Sequence, residues 1–426
     1  MRDQSLPAGD FRWAVGIENT FVPQTRSGHR RLDEYELMGH YDLWRQDLGL
    51  AAELGVSTIR YGVPWYRVNP RPGVFDWSWT DEVLDDLVRE KRLTPIVDLM
   101  HYGTPLWLDN QFVNSSYPQR VAEYAARFAE RYAPLVRYYT PLNEPAVTAD
   151  FCGRTGLWPP YLRGDDGYVK VLTSLARGIW RTAEALRAAR PDAVLVHVED
   201  VGLDTTGDPG LLAQAEAAQG RRLLPLDLMC GRVVPGHALF PWLLEHGCTE
   251  SELLELAARA PRWDVLGVNF YPWTNRRLVR SRSGRLRQVA DSPASALKTV
   301  LGMVHDRYGL PLMVTETSST GTDAERAAWL EGTLGAVRDA RREGIAVTGY
   351  TWFPLFTMIE WKYRWSRKGL LDHLLHLGLY EVHPARGRMD RVPTRLVDSF
   401  RRCIAAPEQS VGEFAGPTPM ASGLVA

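Results

Sequence analysis

The chain is poor in cysteine, with four cysteines in 426 residues, and no two of them form a Cys-x-x-Cys pair. This low density excludes a small disulfide-stapled scaffold, so we expect reduced, structural thiols. Long apolar runs are also missing, since none approaches the ~20 residues that span a membrane. Residues 1–10 lack the apolar core of a secretory signal. These absences predict a soluble cytoplasmic protein without a membrane partner.

An excess of charge of one sign is likewise missing. Fifty Lys and Arg residues stand against 51 Asp and Glu residues, for a net charge of -1. A nucleic-acid-binding face requires a clustered basic excess, so no nucleic-acid partner is expected. No group of His, Cys and carboxylate residues has the spacing of a zinc site. The sequence therefore predicts no metal and no other cofactor.

Strand and helix patterns alternate along the chain, which favours a parallel sheet whose strands are joined by helical crossovers. Helices are predicted at 41–54, 80–91, 119–133, 168–189, 295–308 and 323–342. Strands are predicted at 11–17, 56–61, 94–100, 136–142, 193–198, 264–270, 312–315 and 346–352. Periodicity alone leaves an open doubly wound sheet possible. Because eight strands is the number that a closed barrel needs, we predict an α/β fold of the (β/α)8 TIM-barrel type.

The chain is interpreted as one barrel domain over residues 1–405, with insertions at the strand ends. Residues 406–426 are rich in Gly, Pro, Ala and Ser and are predicted to form a disordered tail. Segments 205–222 and 275–288 are interpreted as connections inserted between barrel units. The second connection is basic, and we favour a solvated hairpin or lid over the alternative, a clamp for an anionic substrate. Its arginines are Arg276, Arg277, Arg280, Arg282, Arg285 and Arg287.

Two apolar stretches end abruptly in a carboxylate. Residues 138–145 run into Glu144, and residues 312–317 run into Glu316. The carboxyl ends of barrel strands meet at one end of the fold, where barrels carry their catalytic groups. Other polar or aromatic residues recur at predicted strand ends and should converge there. They are Arg60, His101, Asn143, Glu199, Asp200, Asn269, Tyr271 and Trp352.

Two carboxyl groups far apart in the sequence suggest an acid/base pair, and glycoside hydrolysis is a reaction built on such a pair. One carboxyl must stay protonated to release the leaving group, and the other must stay ionised. Arg60 and the hydroxyl of Tyr271 are suitable partners that would keep Glu316 charged. Asn143 could contact the 2-hydroxyl of a sugar, and His101 supplies a further neutral donor or acceptor.

These motifs, in this order, resemble glycoside hydrolase family 1, a β-glucosidase-like group of retaining (β/α)8 glycosidases. Thr140-Pro141-Leu142-Asn143-Glu144-Pro145 is similar to its acid/base motif, and Val314-Thr315-Glu316-Thr317 to its nucleophile motif. Leu99-Met100-His101-Tyr102 resembles its His-Trp element, with Tyr102 in place of Trp. Gly267-Val268-Asn269-Phe270-Tyr271 resembles the segment that contacts the nucleophile. The resemblance implies that Glu144 is the general acid/base and Glu316 the nucleophile.

The resemblance extends to the region that closes the sugar subsite, at Gly349-Tyr350-Thr351-Trp352 and Ile359-Glu360-Trp361. It implies that Glu360 grips outer hydroxyls of the sugar, while Trp352 and Trp361 form a platform. The chain also departs from the family there. Gly16-Ile17-Glu18-Asn19-Thr20 stands where the family has a sugar-binding Gln, so Glu18 or Asn19 would substitute for it. An ungapped alignment back from Glu360 puts Phe353, not Trp352, opposite the family's Trp.

The leading hypothesis is a cytoplasmic retaining β-glycosidase that acts on a small β-glycoside through a covalent glycosyl-enzyme intermediate. Two alternatives stay open. The first is a transglycosylase or glycoside-trimming enzyme of a biosynthetic pathway, which would use the same carboxyl groups. The second is a glycosidase-like barrel kept for binding or for non-glycosidic chemistry. The sequence leaves the sugar, the aglycone and the oligomeric state undetermined.

Overall fold

A computed structural model describes residues 11–385 and 388–412 of the chain. Eight parallel strands close into a barrel in which each strand pairs with the next one along the chain and β8 pairs with β1. The predicted (β/α)8 barrel is therefore confirmed, and each strand overlaps its predicted range. The strands are β1 (Arg12–Ile17), β2 (Thr58–Gly62), β3 (Thr94–Asp98), β4 (Tyr138–Thr140), β5 (Val194–Asp200), β6 (Val265–Asn269), β7 (Leu312–Thr317) and β8 (Val347–Trp352).

Alternate residues of each strand face opposite sides of the barrel wall, as the pleat of a β-strand requires. On β5, for example, Val194, Val196 and Val198 pack inside the barrel, while Leu195 belongs to the layer between strands and helices. The apolar interior also contains Ala14 and Met313. Bulky side chains thus fill the barrel and leave polar side chains to collect where the strands end.

Helices surround the barrel and cover the outer faces of its strands. The longest, Gly164–Ala189, packs along Tyr117–Tyr132 and buries one apolar face against it. No helix in the described residues is long and apolar enough to cross a membrane. The other α-helices of at least eight residues are His40–Glu53, Ser78–Asp85, Leu212–Met229, Glu250–Arg259, Ala296–Tyr308, Asp323–Arg342 and Leu396–Ala405.

Short helical segments lie between these elements. The α-helical ones are Glu34–Leu37, Trp65–Val68, Pro145–Ala149, Phe240–Glu245 and Pro407–Val411. Turns of 3₁₀-helix occupy Gln111–Val113, Pro209–Leu211, Trp361–Trp365 and Leu370–His373, and π-helical turns occupy Asp86–Glu90 and Asp150–Arg154.

The interpretation of 205–222 as an inserted connection was wrong, because most of it belongs to the helix Leu212–Met229 that follows β5. Gly220 and Pro225 lie inside that helix, and both residue types argue against a helix when the sequence is read alone. The tail also differs from the expectation at its start. Pro407–Val411 is a short helix whose Val411 is buried, and residues 413–426 lie outside the described part of the chain.

Segment 275–288 forms a hairpin, Arg276–Arg280 with Leu286–Ala290, which confirms the hairpin interpretation. Its arginine side chains are largely exposed, and the first strand also pairs with Asp204–Thr206. Three small antiparallel pairs complete the strands, namely Phe21–Val22 with Leu32–Asp33, Met358–Ile359 with Leu374–Leu375, and Tyr380–Ala385 with Arg388–Pro393.

Candidate active site

The polar residues predicted at the strand ends do converge at the C-terminal end of the barrel. The alternation of side chains explains how β6 contributes two of them. Val265 packs inside the barrel, whereas Leu266, Val268 and Phe270 belong to the outer layer. The same alternation turns Asn269 and then Tyr271 toward the barrel axis.

Glu316 needs an irregularity to reach the same place. On β7, Met313 packs inside the barrel and Val314 outside it, so regular alternation would turn Glu316 outward. The pairing of β7 with β6 shifts between Val314 and Glu316, so Thr315 has no partner of its own in the ladder. A bulge of this kind changes the direction of the following side chain. It brings Glu316 to the inner side.

Glu316 is buried and lies between a cation and a hydroxyl donor. Arg60 donates from Nη1 to Oε1 of Glu316 across 2.8 Å. Tyr271 donates from its hydroxyl to Oε2 across 2.7 Å. Both oxygens of this carboxyl therefore accept hydrogen bonds, and one of these bonds comes from a permanent positive charge, which favours the ionised form.

The hydrogen-bond donors to Glu144 are neutral. Asn269 donates from Nδ2 to Oε1 across 2.7 Å, and the hydroxyl of Tyr102 donates to Oε2. The Asn269 amide is itself fixed, because its Oδ1 accepts from the hydroxyl of Thr315 across 2.7 Å. Glu144 and Tyr102 both have left-handed backbones, with φ of 45° and 72°. Such a backbone costs a non-glycine residue about 1–3 kcal/mol, and residues of this kind cluster at functional sites.

These environments act differently on the pKa values of the two carboxyl groups. Burial, together with the negative charges of Glu316 and Asp200, raises the pKa of Glu144 to about 8. Burial and the nearby Glu18 also raise the pKa of Glu316, but the Arg60 and His101 charges oppose that rise. We therefore place the proton of the pair on Glu144, because the Arg60 guanidinium stabilises the ionised form of Glu316.

His101 belongs to a buried network of charges below the cavity. Its Nδ1 lies 2.9 Å from Oδ2 of Asp98 and 2.9 Å from Oε2 of Glu18. The two carboxylates outweigh burial and raise the pKa of His101 to about 10. The prediction that His101 is a neutral donor or acceptor was therefore wrong, because the fold places two acidic side chains beside it.

Glu18, Asp98 and His101 are also the kind of residues that could hold a metal ion, since one donor atom from each lies within 4.8 Å of the others. Arg60 already brings a positive charge to the same place, 3.0 Å from Glu18 and 3.7 Å from Asp98. The guanidinium supplies the countercharge that a cation would supply. We therefore interpret the group as an ion network that positions His101 and Arg60.

Both glutamates line one cavity of about 470 Å³. The residues named from the sequence that line this cavity include His101, Glu144, Asp200, Tyr271, Arg276, Glu316, Glu360 and Trp361. Four others are buried beneath it and contact the lining residues rather than the open space, namely Glu18, Arg60, Asn143 and Asn269.

The structure does not bring Trp352 to the cavity, so its predicted role in binding is corrected. Trp352 is fully buried in the layer outside β8, as is Tyr350 two residues earlier. Its indole nitrogen donates to the carbonyl of Leu377 across 3.0 Å. The next residue, Phe353, lines the cavity instead. Trp352 lies two residues after Tyr350 on β8, so both side chains face the same side of the strand. This spacing could have excluded Trp352 from the cavity.

Glu360 and Trp361 form the rim and one side wall. The carboxylate of Glu360 accepts from Nζ of Lys362 at 2.7 Å and lies 3.4 Å from Nδ1 of His373. Trp361 packs at a steep angle against Tyr102 and Trp158, with ring centres 5.4 and 5.0 Å away. Trp361 thus forms part of an aromatic wall whose position is set by other rings.

Sequence reasoning missed several lining residues. Tyr102 was noted only as a replacement for Trp, yet its hydroxyl contacts Glu144. Asp200 was noted at the end of β5 without a role, and it borders the cavity beside Glu144. Met358, Leu375 and Leu377 also line the cavity. Their positions depend on segments beyond the barrel strands, which carry no recognisable pattern in the sequence.

The fold and the site together define a (β/α)8 barrel with two unlike carboxyl groups in one cavity, the arrangement expected of a glycosidase. A sequence model described as glycosyl hydrolase family 1 matches residues 21–200. A family 1 β-glucosidase structure from Thermotoga maritima superposes with a TM-score of 0.79 at 18% identity, covering 93% of this chain and 97% of that one. The structural likeness shows the fold.

Curated relatives are similar over most of their length. An aryl-phospho-β-D-glucosidase of Bacillus subtilis is 23% identical over 80% of this chain and 79% of its own length. A bifunctional β-D-glucosidase/β-D-fucosidase of Bifidobacterium breve is 26% identical over 86% of this chain and 87% of its own. These comparisons agree on glycoside hydrolase family 1 and confirm the resemblance seen in the motifs. The chain is therefore similar to this family in sequence over residues 21–200 and in fold across the barrel.

Proposed function

We propose that this protein hydrolyses a small β-glycoside in two steps, with Glu316 as nucleophile and Glu144 as general acid and then general base. The observation that carries these roles is the contrast between the two carboxyl groups. Glu316 accepts from the Arg60 guanidinium at 2.8 Å, whereas the donors to Glu144 are neutral. The ionised group attacks the anomeric carbon, and the protonated group releases the aglycone.

In the first step Glu316 forms a bond to the anomeric carbon as the glycosidic bond breaks, and the proton of Glu144 passes to the leaving oxygen. In the second step Glu144 accepts a proton from water, which attacks the same carbon and displaces Glu316. Two inversions give net retention. Asn143 is buried and does not line the cavity, so we assign it to holding Arg60, whose Nη2 donates to its Oδ1 across 3.1 Å.

Azide rescue with product stereochemistry tests these roles. In Glu316→Gly, azide enters from the face that the nucleophile occupied, so a β-aryl glycoside should give the α-glycosyl azide. In Glu144→Ala, azide attacks the covalent intermediate from the opposite face, so the product should be the β-glycosyl azide. Full activity of either variant without azide, or the reverse stereochemistry, would contradict the assignment.

Transglycosylation is the second candidate, because Trp273 offers an exposed aromatic face at the cavity, stacked on Tyr271 with ring centres 5.0 Å apart. Such a face could hold an acceptor other than water. Product analysis with and without alcohol acceptors distinguishes transglycosylation from hydrolysis. A cytoplasmic location and a single catalytic domain over 1–405 remain predictions, and the four free cysteines support the first.

A further inference from the structure

A second cavity, of about 390 Å³ and here called the side cavity, adjoins the catalytic cavity. The two spaces share four lining residues, Val147, Phe151, Asp200 and Arg276. A volume of this size is within the range of sites that take small organic ligands. The side cavity can therefore hold an organic group that extends out of the catalytic cavity.

The side cavity lies on the Glu144 side of the site. The segment 146–154, which follows Glu144 in the chain, forms part of its wall, and its described lining does not include Glu316. Burial and the charge of Glu316 raise the pKa of Glu144, and the charge of Asp200 in the shared wall adds to that rise. Because Glu144 protonates the oxygen between the sugar and the aglycone, a group in the side cavity belongs to the aglycone.

Four arginine side chains line the side cavity, and they come from three separate parts of the chain. Arg154 ends the π-helical turn after the short helix that begins at Pro145. Arg221 and Arg222 lie on the helix Leu212–Met229, and Arg276 begins the hairpin. Positive charges that are distant in sequence therefore meet at one place.

Arg222 offers a hydrogen-bond donor that no protein group uses. Its side chain is 8% exposed, and its Nε donates to Oδ2 of Asp204 across 2.8 Å. Its Nη2 is buried and has no hydrogen-bond partner among the described residues. A buried charged donor without a partner destabilises the folded protein. A ligand oxygen in the side cavity would supply the missing acceptor.

Aspartates offset only part of the positive charge. Three of them, Asp150, Asp200 and Asp204, stand against four arginines in the lining. Burial raises the pKa of Asp150 and of Asp200, so these two oppose the arginines less than exposed aspartates would. Asp165, outside the lining, lies 3.4 Å from both Arg154 and Arg221 and is shared between them. The balance of charge in the side cavity is positive.

Arg276 is the exposed arginine of this group, and its hairpin aims it at the cavity. It lies on the same face of its strand as Leu278, which packs against Ala215 of the neighbouring helix. Two other arginines of the hairpin strand form ion pairs, Arg277 with Asp291 and Arg280 with Asp208. Arg276 forms none within the part of the chain that the structure describes, so its charge is available to a ligand.

We propose that the aglycone carries an anionic group, a carboxylate or a phosphate, that binds in the side cavity to Arg222 and Arg276. Guanidinium groups suit such a ligand, because their planar set of donors matches both kinds of anion. The sugar then lies against Glu316, the glycosidic oxygen at Glu144 and the anion beyond it. This inference rests on the proposed function and names the class of its leaving group.

Binding of free aglycones tests the inference without turnover. Calorimetry compares 4-hydroxyphenylacetate and 3-(4-hydroxyphenyl)propionate with their amides, and 4-hydroxybenzylphosphonate with the shorter amide. The series varies the distance of the anion from the phenol oxygen and separates carboxylate from phosphate chemistry. We expect at least one anion to bind about tenfold more tightly than its amide. Equal binding of anions and amides, or tighter binding of the ammonium compound tyramine, would overturn the proposal.

The β-D-glucosides and β-D-galactosides of the same phenols should show the same preference in kcat/KM. The methylene spacers keep the phenols similar as leaving groups, so a difference between acid and amide reports on binding of the anion. If anions are preferred and azide rescue fails, only the roles of Glu144 and Glu316 are contradicted. If rescue succeeds and anions are not preferred, only the present inference is overturned.

A matched pair of variants locates the preference. Arg276→Gln should reduce the acid-to-amide ratio of binding by about tenfold. Arg277→Gln changes the net charge equally on the opposite face of the same strand and should preserve the ratio. Equal losses in both variants would mean a general charge effect and would overturn the proposal. A loss in Arg276→Gln that is confined to 4-nitrophenyl 6-phospho-β-D-glucoside would assign the arginine to the sugar and overturn it as well.

Discussion

Arg60 and Glu316 form a buried ion pair in which Nη1 lies 2.8 Å from Oε1, and this contact joins the second strand of the barrel to the seventh. The same guanidinium lies 3.0 Å from Glu18 and donates to Asn143. One side chain therefore holds the proposed nucleophile, the network beneath it and the residue before Glu144. The ionisation of Glu316 should depend on Arg60 more than on any neighbouring donor.

Replacing Arg60 should move the acidic limb of the pH profile. In Arg60→Met the opposing charge is lost, so the pKa of Glu316 rises further and the acidic limb of kcat/KM moves to higher pH. Arg60→Lys keeps the charge and should shift the limb less. Arg12→Met, which removes a donor to Tyr138 away from the site, serves as the control. If folded Arg60→Met keeps the acidic limb of the wild type, Arg60 does not control the ionisation of Glu316.

Tyr102 should affect the basic limb of the pH profile of kcat/KM through its hydrogen bond to Glu144. The free enzyme needs Glu144 protonated, so kcat/KM should fall as pH rises through about 8. The Tyr102 and Asn269 hydrogen bonds lower the pKa of Glu144 relative to burial alone. Tyr102→Phe should therefore move the basic limb upward by about 0.5–1 pH unit, the equivalent of one hydrogen bond.

The control for this measurement is Tyr139→Phe, which removes a hydroxyl that donates to the Val136 carbonyl outside the cavity. Its basic limb should match that of the wild type. A downward shift in Tyr102→Phe would mean that the hydroxyl stabilises the protonated form of Glu144 instead.

The barrel and its catalytic end could be predicted because apolar β-branched runs mark strands, and parallel strands must end together. Arg60 and Glu144 followed from that rule, whereas Glu316 also needs the bulge in β7 to reach the cavity. The charge of His101 could not be predicted, since Glu18 approaches it only after β1 and β3 pair with β2.

Other features depend on contacts that no local pattern encodes. Leu375 enters the cavity through a two-residue strand paired with Met358–Ile359, and such short strands carry no detectable periodicity. The helix Leu212–Met229 was hidden for a different reason, because Gly and Pro within it mask its signal. Trp352 shows that a position at a strand end is a weaker guide to a cavity residue than the alternation of side chains along the strand.

The charge of His101 should appear in the pH dependence of stability. Its pKa is about 10 in the folded protein and near 6.5 in the unfolded chain, so the folded state holds the proton more tightly. The resulting stabilisation is complete below pH 6.5 and is lost as pH rises toward 10. The slope approaches ~1.4 kcal/mol per pH unit between these values.

Urea unfolding of the wild type and of His101→Gln between pH 6 and 9 measures this contribution. The slope of the variant should be smaller by up to ~1.4 kcal/mol per pH unit, because the raised pKa of Glu144 contributes a slope of the same sign to both proteins. His197 provides the contrast, because burial lowers its pKa to about 3 and it is neutral throughout this range. His197→Gln should keep the wild-type slope even if its overall stability falls. Equal slopes in wild type and His101→Gln would show that His101 is not charged.

Gly16 should tolerate no side chain while Phe353 is present. In Gly16→Ala the new Cβ would lie 2.5 Å from the Phe353 ring, so the ring or the strand must move. Overpacking of this kind costs about 1–3 kcal/mol of the free energy of unfolding, and displacement of the ring into the cavity should also lower kcat/KM. Phe353→Leu, added as a second change, should restore part of both quantities.

Gly49→Ala is the matched control, because it lies within the helix His40–Glu53 and a Cβ there meets nothing within 4 Å. It should raise the free energy of unfolding by up to about 1 kcal/mol and leave kcat/KM unchanged. The measurements are thermal unfolding and kcat/KM of the wild type, Gly16→Ala, Gly16→Ala with Phe353→Leu, and Gly49→Ala. If Gly16→Ala loses stability and Phe353→Leu restores none of it, the contact with Gly16 does not fix the Phe353 ring.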